Sequence, residues 1–267
     1  SSTLVSEFNV AKRILILAGT LDKNPELQSL LSQFVKNHSV VVLTEANSNL
    51  YHDKFFNHID RYVFNFTEED FRTYAPDLLI TIGQNVVSKK VKEFLRKAKP
   101  QNHWHIDEFW QPNTYFALTQ EIKTKPEIFF SQLLKFAKLE PSAYFNLWDV
   151  LRDKKDAKHD EYCKTIDFSD FKIFQILEQK IPSNYNIHIS NSSAIRYAEL
   201  FPYSQNHNIY CNRGTSGIDG STSTAMGFAM MNENPTILIS GELGFFYDIN
   251  GLWNNYIPPY TRIIVIN

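Results

Sequence analysis

Four residues near three expected strand ends hold most of the chemistry in this sequence. Ser192 and Arg196 lie four apart in "SNSSAIRYAEL", Arg213 follows the first Asn of "NRGTSGIDGSTSTAMG", and Glu242 stands between Gly241 and Leu243 in "GELGFFYDINGL". Guanidinium groups bind carboxylates through paired, charge-assisted hydrogen bonds, each contributing about 1.5–3 kcal/mol when well placed. Two arginines on one crevice therefore suit a substrate with several carboxylates, although a pair alone is more often solvated or ion-paired within the fold. A carboxylate where a strand hands over to a helix is a usual metal-ligand position, and more often still a cap or a surface charge.

The middle stretch concentrates glycine. Gly214, Gly217 and Gly220 fall within seven positions of a chain that has only nine glycines. Asp219 is placed to cap a helix whose first turn is Gly220-Ser221-Thr222, leaving free N–H groups and positive dipole at that end. Small residues there admit a ligand to the main chain, and free N–H groups favour an anion. A helix entry that needs small residues to pack on a sheet explains the same spacing equally well. The pattern is not G-x-G-x-x-G and no G-K-[ST] occurs, so the usual dinucleotide and P-loop readings fail.

The elements that must position these residues repeat one rhythm, a short β-branched run and then a helical pattern. Strands are predicted at 13–19, 39–44, 61–65, 77–83, 102–107 and 114–119. Helices are predicted from Pro25 to about Lys36, from the capping Thr67, over Val86–Lys97, and from about Lys123 to Leu151. The charged run "RDKKDAKHDE" (152–161) reads as a solvated helix face or a linker, and a domain boundary is expected there, giving units 1–150 and 151–267. The second unit is predicted to run helix 168–180, strand 186–190, strand 208–212, helix 219–231, strand 236–240, helix 245–256 and strand 262–267. Strands alternating with helices imply parallel sheets, so the fold class expected is α/β, with two doubly wound parallel-sheet units. Open sheets of this kind take ligands beyond the carboxyl ends of their strands, where all three motifs fall. A chain that stops on its last strand is expected to be a fragment of a longer protein.

Composition bounds the alternatives. A formal net charge of -2 over 267 residues advertises no basic face for nucleic acid or anionic lipid. Cys163 and Cys211 stand far apart, which fits a reducing compartment and argues against a disulfide scaffold or a cysteine zinc site. His103 and His105 share a strand face without an acidic or Cys partner at ligand spacing, so zinc is not expected. Without a run of about 20 apolar residues or a signal-peptide shape, cytoplasm is the expected location.

Taken in order and at their distances, "SNSSAIR", "NRGTSGIDGSTSTAMG" and "GELGFFYDINGL" resemble the thiamine-diphosphate-dependent SEPHCHC synthase family of menaquinone biosynthesis. The N-R-G-x-S-G-I-D-G motif is the specific one, and the match covers roughly residues 186–267. The resemblance implies a transhydrogenase dIII-like middle domain followed by the N-terminal part of a diphosphate-binding domain. It implies thiamine diphosphate and Mg²⁺ as cofactors, 2-oxoglutarate and isochorismate as substrates, and a homo-oligomeric parent. Ser192, Arg196 and Arg213 would then meet substrate carboxylates. Ile218 would prop the bent cofactor, Leu243 and Gly244 would present backbone to the diphosphate, and Glu242 would bind the metal. No catalytic residue is expected within the chain, because the activating glutamate belongs to another domain of the family. Glu242 departs from the family's usual Asp, and Mg²⁺ wants near-octahedral ligands at about 2.0–2.1 Å, so the extra methylene must be absorbed locally. A thiamine-diphosphate decarboxylase of the acetolactate-synthase type and a non-catalytic α/β binding module are the alternatives.

Overall fold

Runs of Ile, Leu and Val that are buried on both faces form parallel strands, and the chain builds two such sheets. A computed structural model describes residues 2–203 and 205–267. The first unit runs α1 (Ser2–Val10), β1 (Ile14–Ala18), α2 (Pro25–Val35), β2 (Val41–Leu43), α3 (Ile59–Val63), α4 (Glu68–Thr73), β3 (Leu78–Ile82), α5 (Lys89–Ala98), β4 (Asn102–Ile106), β5 (Gln120–Ile122) and α6 (Pro126–Leu134). Its sheet has the order β2-β1-β3-β4-β5, parallel throughout. Helix α7 (Ala143–Thr165) leads into α8 (Asp170–Lys180), β6 (Asn186–Ile189), α9 (Ser193–Ala198), β7 (Asn208–Tyr210), α10 (Ser221–Met230), β8 (Thr236–Gly241), α11 (Glu242–Tyr247) and β9 (Thr261–Ile266). The second sheet is also all parallel, in the order β7-β6-β8-β9. Both units are thus doubly wound α/β structures, as the alternation predicts.

Local chemistry starts the helices where the sequence marks them. Asn24 accepts the Leu27 N–H at 2.9 Å with Pro25 in the first turn, Thr67 caps α4, and Ser88 accepts the Val91 N–H at 3.0 Å to open α5. Alternate strand residues then bury against opposite layers. Ile14, Ile16 and Ala18 pack with α2 and α6, whereas Leu15 and Leu17 pack with α3, α5 and the start of α7.

Four expected elements come out differently. The helix expected from about Lys123 to Leu151 is two, α6 and α7, interrupted over 135–142, where Pro141 stands two residues before α7. Residues 61–65 are not a strand: Ile59, Tyr62 and Val63 fall at helical spacing and are all buried, so α3 forms there. Residues 114–119 are a turn, in which Phe116 has φ of 57° and the Asn113 side chain accepts the Leu118 N–H; the edge strand β5 begins only at Gln120. The predicted helix 245–256 starts earlier and stops earlier, as α11 and then a 3-10 turn at Ile249–Leu252. The charged run 152–161 lies inside α7, which is continuous across the expected boundary. Tyr144, Phe145 and Trp148 of that helix bury in the first unit, and Cys163 buries in the second. No helix among the described residues is long and apolar enough to cross a membrane.

Side chains bind the two units directly. Asn49, held in the left-handed region at φ 52°, donates to the Ile209 carbonyl at 3.0 Å and accepts the Ile209 N–H at 2.8 Å. Its amide thereby acts as a one-residue strand beside the edge strand β7, whose free backbone groups would otherwise be buried without partners. Replacing Asn49 by Ala is expected to cost about 2–4 kcal/mol, seen as a lower urea midpoint with an unchanged slope. Burial also holds imidazoles neutral: His103, with a further push from His105, and His188 are both driven down to about 4. A base whose folded pKa is depressed contributes stability that is present above its unfolded value of about 6.5 and lost as pH falls toward about 4. Urea melts across that range should record a falling midpoint, reduced in a His188→Gln variant.

Candidate functional site

The second sheet's strand order makes one rim of the three motifs. From β6 the chain crosses through α9, which buries Ala194, Ile195 and Ala198 on one face of the sheet; from β7 it crosses through α10, which buries Ala225 and Met226 on the other. The connections therefore part between β6 and β8, the switch point at which open α/β sheets leave a crevice. Across that crevice the Ser190 hydroxyl donates to Ser240 Oγ at 2.9 Å.

Asn191 joins the first two loops. Its buried amide donates to the Asn212 and Gly217 carbonyls, each at 2.7 Å, and its Oδ1 accepts from Arg213 Nη1 at 2.6 Å. Arg213 is half-buried, and its Nε is buried without a hydrogen-bond partner among the described residues. A guanidinium fastened at one nitrogen and unsatisfied at another is oriented for an acceptor that a ligand carboxylate would supply. From the first unit, Asn85 donates to the Arg213 and Gly214 carbonyls at 3.0 and 3.2 Å. Beyond Asn85 a cavity of about 240 Å³ holds Lys92 and Arg96, so positive side chains continue along the rim.

The third loop closes on the second. A Cβ on Gly244 would stand 3.0 Å from the Ile218 carbonyl and 3.2 Å from Ser240 Oγ, so α11 sits directly against Ile218. Gly241 has nothing within 4 Å of such a Cβ, and beside it Glu242 is half-buried at the first position of α11. Leu243 points outward at 59 % exposure. Glu242, an open backbone at Gly241 and the closely fitted Gly244 are oxygen and amide donors suited to a phosphorylated ligand and a hard cation. Among the described residues no cluster of three or more His, Cys, Asp or Glu forms a metal site by itself, so a cation here needs oxygens from the ligand or the backbone.

Ser192 and Arg196 lie on the same rim with different surroundings. Ser192 has φ of 73° and ψ of -129° and caps nothing, a conformation costing a non-glycine residue about 1–3 kcal/mol. The residue is exposed, two positions past Ser190 on the same loop. Arg196, exposed on α9, leans toward the first unit, where its charge reaches the largely buried Asp60.

The expected cap of α10 is wrong. Gly220 takes the cap position at φ 77°, and Asp219 folds back over Gly217 instead. The carboxylate at that helix start is Asp248, which accepts the Ser223 N–H and the Ser223 hydroxyl, each at 2.6 Å. Asp248 comes from 25 residues further along the chain, so no local pattern signals it. Asn191 and Asn85 also escape sequence reasoning, since an Asn in a polar loop looks like any turn residue.

If the Ser192 turn is strained for the site's sake, Ser192→Gly should relieve it. The expected result is a gain of about 1 kcal/mol in stability, read as a higher Tm, with the hydroxyl lost from the rim.

No protein-family model matches the chain. Among curated proteins it is similar to 2-succinyl-5-enolpyruvyl-6-hydroxy-3-cyclohexene-1-carboxylate synthase of Flavobacterium psychrophilum, 45% identical over 263 residues, covering 98% of this chain and 48% of the relative. The enzyme of the same name from Flavobacterium johnsoniae is 44% identical over 265 residues, covering 99% and 48%, and that from Christiangramia forsetii is 44% identical over 267 residues, covering 98% and 46%. The chain spans about half the length of these relatives. Homology along nearly all of its own length places it in the 2-succinyl-5-enolpyruvyl-6-hydroxy-3-cyclohexene-1-carboxylate (SEPHCHC) synthase family.

Proposed function

We propose that the full-length protein containing this chain is a SEPHCHC synthase of menaquinone biosynthesis. It decarboxylates 2-oxoglutarate with thiamine diphosphate and Mg²⁺ and adds the remaining four-carbon unit to isochorismate. Residues 1–150 serve as its middle domain and 151–267 as the front of its diphosphate-binding domain, within a cytoplasmic homo-oligomer. The observation that carries this reading is the joining of three loops into one rim through Asn191, the Ser190–Ser240 hydroxyl pair and the Ile218–Gly244 contact.

Thiamine diphosphate supplies the electron sink for decarboxylation, and the protein supplies orientation and charge. Arg213, steadied by Asn191, would offer the exposed part of its guanidinium to a substrate carboxylate. Ser192 would add a hydroxyl at the mouth, and Arg196, which leans toward the first unit, would supply a second cation to a diacid that extends to that junction. Ile218, fixed against Gly244, would serve as the apolar support for the cofactor. The Leu243 and Gly244 amides would hold its diphosphate. Glu242 would supply a carboxylate oxygen to Mg²⁺, carried on one methylene more than Asp.

The purified full-length protein should turn over 2-oxoglutarate with isochorismate and leave pyruvate untouched; turnover of pyruvate alone would assign it to the acetolactate-synthase type. Arg213→Ala should raise KM for 2-oxoglutarate roughly 10- to 100-fold, the equivalent of one charge-assisted hydrogen bond. Calorimetric affinity for thiamine diphosphate should stay within about twofold. An unchanged KM removes Arg213 from the substrate site.

A further inference from the structure

Two buried carboxyl groups meet where the units join, and neither belongs to the rim. Glu45, which follows β2, is 2 % exposed and accepts the Val87 N–H at 2.6 Å and the Ser88 N–H at 2.7 Å. Glu199, at the end of α9, is 3 % exposed and accepts the N–H of Ala46, the residue after Glu45, at 2.8 Å. Its second oxygen, Oε1, is buried with no hydrogen-bond partner among the described residues. The main chain of the same turn is also tied down: His58 Nδ1 meets the Glu199 carbonyl at 3.2 Å and must carry the proton there, and Arg61 Nε donates to the Leu200 carbonyl at 2.7 Å. Arg196 lies three residues before Glu199 on this short helix, so whatever seats the helix end also sets where Arg196 stands.

We propose that Glu45 and Glu199 act as a positioning pair in which Glu199 keeps a proton, seating α9, and with it Arg196, on the first unit. The partners differ in what they can hold. Glu45 receives two N–H bonds, which favour its charged form; Glu199 receives one and leaves an oxygen bare, a poor place for a second negative charge. Burial raises both, Glu45 to about 7 and Glu199 well above the ordinary carboxyl value, and the charge of Glu45 adds to the effect on Glu199. The other groups facing Glu45 are Asp60, which opposes its charge, Lys92, which favours it, the phenol of Tyr115 and the Cys211 thiol. Those facing Glu199 are Asp60, Arg213, the phenols of Tyr51 and Tyr203, and the Cys211 thiol. Only Lys92 and Arg213 carry positive charge among these, and Lys92 already donates to the Val86 carbonyl at 2.9 Å and Arg213 to Asn191. With both carboxyls ionised, the seat repels itself. A proton on Glu199 removes the repulsion and leaves the Ala46 bond intact.

The role of Arg196 in this inference rests on the proposed function; the pair itself does not. A carboxyl raised in the folded state contributes stability that is full below its unfolded value and lost as pH rises toward the folded one. In the full-length protein, the hydrogen-exchange protection of the Ala46 amide should therefore fall as pH rises from about 5 to about 8, by up to about tenfold per unit. Glu199→Gln keeps an acceptor for Ala46 without a charge, and should keep the protection while reducing its pH dependence to what Glu45 alone contributes. KM for 2-oxoglutarate should rise over the same range in the wild type and rise less in Glu199→Gln, with kcat at low pH alike in both. Protection that is independent of pH in the wild type, or an unaltered slope in Glu199→Gln, overturns the pair. A flat KM beside a falling protection overturns the positioning of Arg196. Absence of any turnover of 2-oxoglutarate overturns the proposed function instead, and the exchange profiles still decide the pair.

Discussion

The candidate site depends on a single side-chain amide. Asn191 sits two residues after β6, and its NH₂ and C=O are both engaged, with two carbonyls of the glycine-rich loop on one side and the Arg213 guanidinium on the other. A loop with Gly214, Gly217 and Gly220 has many conformations to lose, so its shape must be imposed from outside. One buried amide does this by selecting the loop geometry that brings both carbonyls to it. The same group holds Arg213 against the sheet edge, where an unrestrained arginine would extend into water.

Because the rim is assembled from loops, the first unit becomes part of it. Asn85 holds the Arg213 and Gly214 carbonyls, Asn49 completes the edge of β7, and Arg61 takes the Leu200 carbonyl while pairing with Asp156 of α7 at 3.1 Å. The backbone groups so satisfied lie on an edge strand, in a loop or just past a helix end, where no regular ladder pairs them. The first sheet thus acts as a platform that sets the second sheet's loops. Its contribution to the site is orientation rather than direct contact.

The second sheet is covered unequally. Its α8 and α9 face is a broad apolar layer, whereas the apolar cluster under α10 is small: Ala225, Met226 and Leu238 are buried in it, with Leu252, Ile257 and Ile263 partly so. On the thin side the stability of α10 relies on polar fastening: the Asp248 carboxylate takes both the Ser223 amide and hydroxyl. A negative charge at a helix start is favourable there, and it is also what prevents the start of α10 from offering all its N–H groups to a ligand. An anion at this rim is left with the turn at Gly241–Gly244 and the arginines.

The sequence alone determined the class of fold and the edge at which chemistry is possible. β-branched runs such as "RILILAG" and "TILIS" can only be strands buried on both faces, and helices between them force parallel order, so the loops after β6, β7 and β8 had to share one rim. That Arg213 and Glu242 stand at this rim was readable for the same reason, since strand ends are local features. What the tertiary structure decided were the assignments in which distant residues compete with local ones. Residues 61–65 have strand-like composition, yet burying Ile59, Tyr62 and Val63 together needs a helix. Asp219 adjoins α10, yet Asp248 reaches its start from beyond α11. Asn191, Asn85, Glu45 and Glu199 bear no mark in sequence, because a buried hydrogen bond is defined by what lies across space from it, and spacing along a chain does not encode that until the core has closed.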